Sequence, residues 1–275
     1  MTVQKWKKLN LLEDMLPEGL LVSSSWMEER GYSSSLRSQY VAAGWLKQPV
    51  HSIFWRPRGK LSWEHVVISM QNLLDLPISI GGQTALELQG YAHYLQQSRK
   101  IIYLYSDKKL STWVGKLELD EKLVIRNRSR FLPKIEHPWI PPSILEPLIP
   151  DELLKLDGAL RVSQWGQYKW PLIMSTPERA ILELLDELPK NTSFHLVDVI
   201  MEGLVNIRPR RMQTLLEQTS SIKVKRLFFF FVDRYHHRWL KHIDRDKIDL
   251  GKGKRVLVKG GKLNPKYQIT MPENF

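Results

Sequence analysis

Six consecutive apolar residues, Leu227-Phe228-Phe229-Phe230-Phe231-Val232, stand inside the most basic part of this 275-residue chain. From Arg208 to Lys266 there are 17 lysines and arginines against 5 acids, a net +12 that equals the charge of the whole protein. Outside that stretch the two signs balance at 24 each. A disordered basic tail lacks such a run, whereas a folded element buries it and leaves the flanking charges in water. Val256-Leu257-Val258 is a second apolar run and predicts a strand. The stretch therefore reads as a folded positive surface. Its field attracts phosphate, and each phosphate contact releases condensed counterions.

A hydrophobic content of 43% provides for one large domain or two ordinary ones. There is no cysteine, which excludes disulfides and thiolate metal sites. The opening MTVQKWKKLNLLEDML has no uninterrupted apolar segment of the secretory kind. No apolar run approaches the roughly 20 residues of a membrane helix. A soluble, cytoplasmic protein with an anionic partner is expected.

The first 60 residues predict a reader of DNA. Trp6, Leu9, Leu12, Met15 and Leu16 give residues 4–16 one apolar helical face, and Pro17-Glu18-Gly19 ends it. Leu20-Leu21-Val22 is short and apolar. Ser24 or Ser25 can cap a second helix, which Gly31 stops. Ser33 caps a third, with Leu36, Tyr40 and Val41 on one face and Ser34, Arg37, Ser38 and Gln39 on the other. Trp45–Lys47 and Ile53–Arg56 predict two strands joined through residues 48–52. That order is the order of a winged helix-turn-helix, whose third helix enters the major groove while the hairpin wing lies on the backbone or in the minor groove. Arginine suits guanine and glutamine suits adenine, so Arg37 and Gln39 are the expected base readers. Ser33, Ser34, Ser35 and Ser38 are small hydroxyl groups for the same surface. Lys47, His51, Arg56 and Arg58 are the expected wing contacts.

Ser62 opens a further helix that Pro77 breaks. Ile78-Ser79-Ile80 predicts a strand, followed by Gly81-Gly82 and a helix through Gln89. Two readings of that glycine pair stand: a tight turn packing helix on strand, or a cradle for phosphate without the motif that usually builds one. Residues 101–105, 113–119 and 123–126 predict strands, as do 160–163 and 168–170. Six prolines between 132 and 150 exclude long regular elements there. Helices are expected from Pro177, from Phe194 to Leu204 and from Pro209 to Thr219. Strands first and helices later give an α+β class. The chain divides into a winged helix over residues 1–95 and a larger mixed α+β domain over 96–275.

In that second domain Arg210, Arg211, Lys223, Lys225 and Arg226 fall at the ends and polar faces of the last helices. Lys252, Lys254 and Arg255 lie in a glycine-rich turn, with Lys259 and Lys262 after it. The glycines at 251, 253, 260 and 261 suit either tight hairpin turns or close approach of backbone to an anion. Together these basic residues form a face for phosphate or for an antagonistic function.

Catalytic chemistry is thin. Asp233, His236, His237 and His242 form an incomplete ligand set, and adjacent histidines on a helix point about 100° apart, so no metal site is expected. The Asp107-Lys108-Lys109 and Asp120-Glu121-Lys122 triplets are of a kind found in any charged chain. Glu178-Arg179 reads as an internal ion pair rather than an acid–base couple. Neither an enzyme activity nor a cofactor is expected.

The segments Leu16–Gly19, Ser25–Ser33, Tyr40–Leu46, Gly81–Tyr94, Ser175–Ala180, Lys223–Phe228, Asp249–Arg255 and Lys259–Ile269 occur in an order that resembles the AbiEi family. These are the antitoxins of type IV toxin–antitoxin, or abortive infection, systems. The resemblance covers nearly the whole chain. One departure is the wing tip, where the family pattern places a glycine near Ser52 and Pro49 is unusual. The resemblance implies a repressor that binds double-stranded DNA at promoter inverted repeats of its own operon. It also implies that the C-terminal domain neutralises a nucleotidyltransferase-like toxin without a stable complex. Rival readings are a DNA-tethered nuclease or metal-dependent hydrolase, a regulator without antitoxin activity, and a protein that blocks its partner by direct binding.

Overall fold

The computed structural model describes residues 3–91, 100–134 and 158–275, with side chains from residue 8 onward. Its class is α+β. The chain opens with α1 (Val3–Met15), β1 (Leu21–Ser23), α2 (Ser24–Glu29), α3 (Ser34–Ala42), β2 (Lys47–Val50) and β3 (Ile53–Trp55). The three strands form an antiparallel sheet in the order β1-β3-β2. Leu9, Leu12 and Leu16 bury one face of α1 against them. Two local expectations shift. Ser23, not Ser24 or Ser25, caps α2, its hydroxyl accepting the Trp26 N–H at 3.1 Å. The strand β2 takes in Gln48, Pro49 and Val50, leaving only His51 and Ser52 as the turn. Proline is tolerated there because β2 is an edge strand.

Next come α4 (Trp63–Asn72), β4 (Ile78–Ile80), α5 (Gly82–Leu88), β5 (Ile101–Ser106), β6 (Lys122–Asn127), β7 (Leu160–Trp165) and β8 (Trp170–Ser175). They build a five-stranded sheet in the order β6-β5-β4-β8-β7. The middle strand, β4, runs antiparallel to β5 and parallel to β8. Helix α4 joins the two sheets. Its Ser69 hydroxyl accepts the Leu21 N–H of β1 at 2.9 Å, and its Asn72 amide donates to the Pro171 carbonyl of β8 at 3.0 Å.

Four helices follow: α6 (Pro177–Glu187), α7 (Phe194–Gly203), α8 (Pro209–Gln218) and α9 (Ile222–Val232). The phenylalanine run is α9, capped by the Ser221 hydroxyl on the Val224 N–H. Every residue from Val224 to Val232 is buried, which is why the run carries no polar face. Each fully buried phenylalanine stabilises the fold by roughly 1.5–3 kcal/mol. A short hairpin, β9 (Lys262–Asn264) and β10 (Ile269–Met271), ends the chain.

Two expected strands are absent. Residues 112–116 form a 3-10 turn in which Val114 is buried and Leu117, just after it, packs on the core, a spacing of three rather than two. Val256–Val258 makes no ladder. The Thr270 hydroxyl instead accepts the Leu257 and Val258 N–H groups at 2.8 and 3.0 Å, and Val256 is left 64% exposed. Most of the proline-rich 132–150 segment lies outside the described residues.

The Gly81-Gly82 pair is a packing device. A Cβ at Gly81 would collide with Glu183 and Tyr105, and the Gly82 N–H donates to Glu183 Oε2 at 2.9 Å. Glu183 also accepts from Arg179 at 2.7 Å and from the Ser175 hydroxyl at 3.1 Å. Arg179 in turn donates to the Arg128 carbonyl at 2.8 Å. The expected pairing of Glu178 with Arg179 gives way to Arg179–Glu183, one helical turn apart, while Glu178 receives Arg211. Buried charges of this kind are tolerable only when paired and hydrogen-bonded. Among the described residues no helix is long and apolar enough to cross a membrane.

Candidate nucleic-acid interface

Helix α3 starts where Gly31, at φ +79°, and Ser33 turn the chain. The Ser33 hydroxyl accepts the Leu36 N–H at 3.3 Å. Ser34, Ser35, Ser38 and Gln39 face outward and are exposed, and the Ser38 hydroxyl donates to the Ser34 carbonyl at 3.1 Å. Opposite stands the β2–β3 hairpin. Between them, with α2 at one end, runs an open groove of about 600 Å³ lined by Ser24, Ser34, Ser38, Gln48 and His51 among others. Ser24 and Gln48 were not expected there. The sequence marks Ser24 only as a helix cap and Gln48 only as connector, although its place just before the turn is a signal.

Arg37 also borders this groove, with Glu28 beside it, but its guanidinium is engaged within the protein. It points into the protein and is 6% exposed, donating to the Tyr32 carbonyl at 2.8 Å and to Glu28 Oε1 at 2.7 Å, with its guanidinium 5.6 Å from the Phe54 ring. The α-helical period explains this: residues 37 and 40 are three apart and share the inward face, and Tyr40 is buried too. Burial holds the Tyr32 phenol up at about 12, with Tyr40 beside it adding to the rise.

On the hairpin, Lys47 is exposed over the Trp55 ring at 5.5 Å, and His51 is exposed at the tip. Ser52 adopts φ +64°, the left-handed conformation for which a glycine was expected. Its carbonyl accepts the Ser24 N–H at 2.8 Å, which ties the tip to α2. Arg56 and Arg58 leave the wing surface. Arg56 donates to the Glu13 and Leu16 carbonyls at 3.1 and 3.0 Å and to the Glu13 carboxylate at 3.2 Å. Arg58 lies over the Tyr168 ring, 5.1 Å from its centroid, and donates to the Tyr168 hydroxyl. Both serve the base of the hairpin, three or more residues beyond the tip.

The C-terminal basic residues separate into two groups. Lys223 donates to the Asp186 and Leu188 carbonyls at 2.5 and 3.0 Å, and Arg211 meets the buried Glu178 carboxylate at 3.3 Å. Lys225 and Arg226 are buried. These four are structural: Lys225 and Arg226 lie in the fully buried run of α9, and Lys223 and Arg211 are held by Asp186 and Glu178. Arg210, Lys252, Lys254, Arg255, Lys259 and Lys262 are exposed.

The acids and histidines weighed as metal ligands go separate ways. Asp233 accepts hydrogen bonds from Arg245, Lys266 and Tyr267 at 2.5, 2.6 and 2.5 Å. Burial opposes its ionisation, but these three donors carry its pKa down to about 2. His237 bonds the Met201 carbonyl at 2.8 Å and stacks on Trp239. His236 is exposed, and His242 borders a cavity at the start of α8. Among the described residues no group of three or more histidines and acids could hold a metal ion.

A family model described as the AbiEi antitoxin N-terminal domain of a transcriptional regulator matches residues 5–97. Another, described as a transcriptional regulator, AbiEi antitoxin, of a type IV toxin–antitoxin system, matches residues 146–272. The crystal structure of the RV2827C protein from Mycobacterium tuberculosis is similar in fold, with a TM-score of 0.57 at 16% identity over 98% of this chain and 91% of that one. No curated protein matches.

Proposed function

The chain belongs to the AbiEi antitoxins, transcriptional regulators of type IV toxin–antitoxin systems, and from that premise we propose that residues 1–95 read double-stranded DNA at inverted repeats in the promoter of its own operon. The observation that carries this is the groove between α3 and the hairpin, whose lining includes, beside the Glu28–Arg37 pair, hydroxyl and amide groups that can bond phosphates and base edges. Ser34 and Ser38 from α3, with Gln48 and His51 from the hairpin, are the contacts within the groove, joined by Gln39, which is exposed on α3 outside its lining. Gln39 is the base reader among them, since a glutamine amide pairs with adenine.

The exposed lysines and arginines of residues 96–275 add sequence-independent phosphate contacts. That portion also neutralises a nucleotidyltransferase-like toxin, without a stable complex and without catalysis of its own, by occupying the nucleic acid that the toxin attacks. The family's description as a regulator supports a non-enzymatic reading.

Binding of the full chain to its own upstream DNA, measured across a salt series, tests the proposal. Expected are tight binding to that DNA, weaker binding to a scrambled duplex, and a preference lost in Gln39→Ala. Equal binding to both duplexes would remove the repressor reading. Toxin activity that survives while the chain saturates the toxin's nucleic-acid target would remove the proposed route of neutralisation.

A further inference from the structure

Arg226 sits in the middle of the basic stretch, yet its guanidinium never reaches solvent: the residue is 3% exposed. Its nitrogens face the 250–253 loop and, through one bond, the turn of the β9–β10 hairpin. Nε donates to the Leu250 carbonyl at 2.6 Å, one terminal nitrogen to Gly251 at 3.0 Å, and the other to Gly253 at 2.7 Å and Gln268 at 3.3 Å. Four carbonyls thus turn inward onto a single buried cation. Burial and the neighbouring Arg255 both push its pKa down, a pressure against charge that the four acceptors offset. The loop is fixed from other sides as well. Gly251 stands at φ +63° with Ile222 packed 3.2 Å from where a Cβ would be, and its N–H donates to Asp249 Oδ1 at 2.7 Å. The Arg255 N–H donates to the Gln268 carbonyl at 2.8 Å. Lys252, Lys254 and Arg255 all project from the outer side, exposed.

We propose that residues 250–255 form a preshaped cradle for a phosphodiester of duplex DNA, and that Arg226 is its positioning residue, shaping the loop from beneath without touching the ligand. The proposal rests on the reading of the C-terminal basic face as a phosphate surface and adds how that surface is built. Inward carbonyls take the negative ends of the peptide dipoles away from the face, and the arginine beneath adds positive field to the three cations above. A planar guanidinium alone can hold four carbonyls at once; a lysine ammonium is a point charge with three donors. Ordering the loop before binding removes that cost from association.

The test is the salt slope of the full chain on its own upstream duplex. Lys252→Ala/Lys254→Ala/Arg255→Ala together lower the slope by about 0.9 units, the loss of one phosphate contact. Arg226→Lys, which keeps the charge, reproduces most of that loss and changes nothing further in the triple background. Gly251→Ala disturbs the same loop without touching the buried charge and shifts the slope in the same direction, so it carries the test if Arg226→Lys fails to fold. An unchanged slope in the triple variant overturns the phosphate reading of the face. A reduced slope there, with a wild-type slope in folded Arg226→Lys or in Gly251→Ala, overturns the cradle alone. An Arg226→Lys loss that adds to the triple's also overturns it.

Discussion

Gln71 and Ile173 exchange two hydrogen bonds: the Gln71 amide donates to the Ile173 carbonyl at 3.0 Å, and the Ile173 N–H donates to the Gln71 side-chain oxygen at 2.9 Å. The same amide also donates to the Ile78 carbonyl at 3.0 Å. Strands β4 and β8 register only at Ile80 and Met174, so a side chain from α4 fills the ladder where they part. Gln71→Leu is expected to lower unfolding stability by about 3 kcal/mol or more, since it orphans three buried backbone groups at about 1–3 kcal/mol each. Urea denaturation measures this, and a loss under about 1 kcal/mol would show that the groups find other partners.

Arg37→Ala separates a structural arginine from a reading one. Glu28 and the Tyr32 carbonyl lose their buried donor, so the melting temperature falls. Operator affinity, compared at a temperature where the variant is folded, drops uniformly across base-substituted sites. A relaxed preference at one base pair alone would make Arg37 a base reader.

Arg58 is engaged with Tyr168, at the opposite end of the hairpin from His51. Arg58→Ala is therefore expected to leave the salt slope of DNA binding within about 0.3 units of wild type, against the roughly 0.9 of a lost phosphate contact. Tyr168 stacks on Trp170, and Trp170 on Trp165. The same variant should shift tryptophan emission, because it uncovers the Tyr168 ring that stacks on Trp170.

Acid reaches the protein through Asp233. Its pKa lies at about 2 in the fold against an ordinary 3.8. A depressed carboxyl contributes stability that is complete above about pH 4 and is lost as the pH falls towards 2. Across that window the wild type loses stability more steeply than Asp233→Asn, whose side chain cannot ionise. Parallel curves from pH 5 to 2 would show that Asp233 gains nothing from Arg245, Lys266 and Tyr267.

Caps, periodicity and turn residues made the elements legible. Ser33 announced α3 and Pro177 announced α6, because each signal acts within a few residues of itself. Long-range partners were not legible. Nothing near Arg37 in sequence says that Glu28 and Tyr32 will take it inward, and nothing near Arg226 foretells four carbonyls from residues 250–268. Charge density located the basic surface, but it could not sort its members: Lys223 and Arg211 look outward in the sequence and face Asp186 and Glu178 in the fold. The glycine pair at 81–82 likewise depended on Glu183, about a hundred residues away. Val256–Val258 had the composition of a strand but met a threonine hydroxyl where a neighbouring ladder was needed.

Strand β4 has a consequence for how the chain is made. Synthesis delivers the N-terminal sheet complete once Trp55 has emerged, and domains tend to fold in that order. The middle of the larger sheet emerges soon after, but its parallel neighbour β8 follows only with Trp170–Ser175. Once Ser106 has emerged, Ile78 and Ile80, fully buried in the finished protein, have β5 on one side but neither β8 on the other nor the Glu183 on which Gly82 rests. A chain interrupted between those points thus ends in an open, sticky edge attached to a finished groove. Ribosome pausing or premature termination in this window would yield fragments that aggregate or fall to proteases, so the regulator's supply depends on translation running through to residue 183.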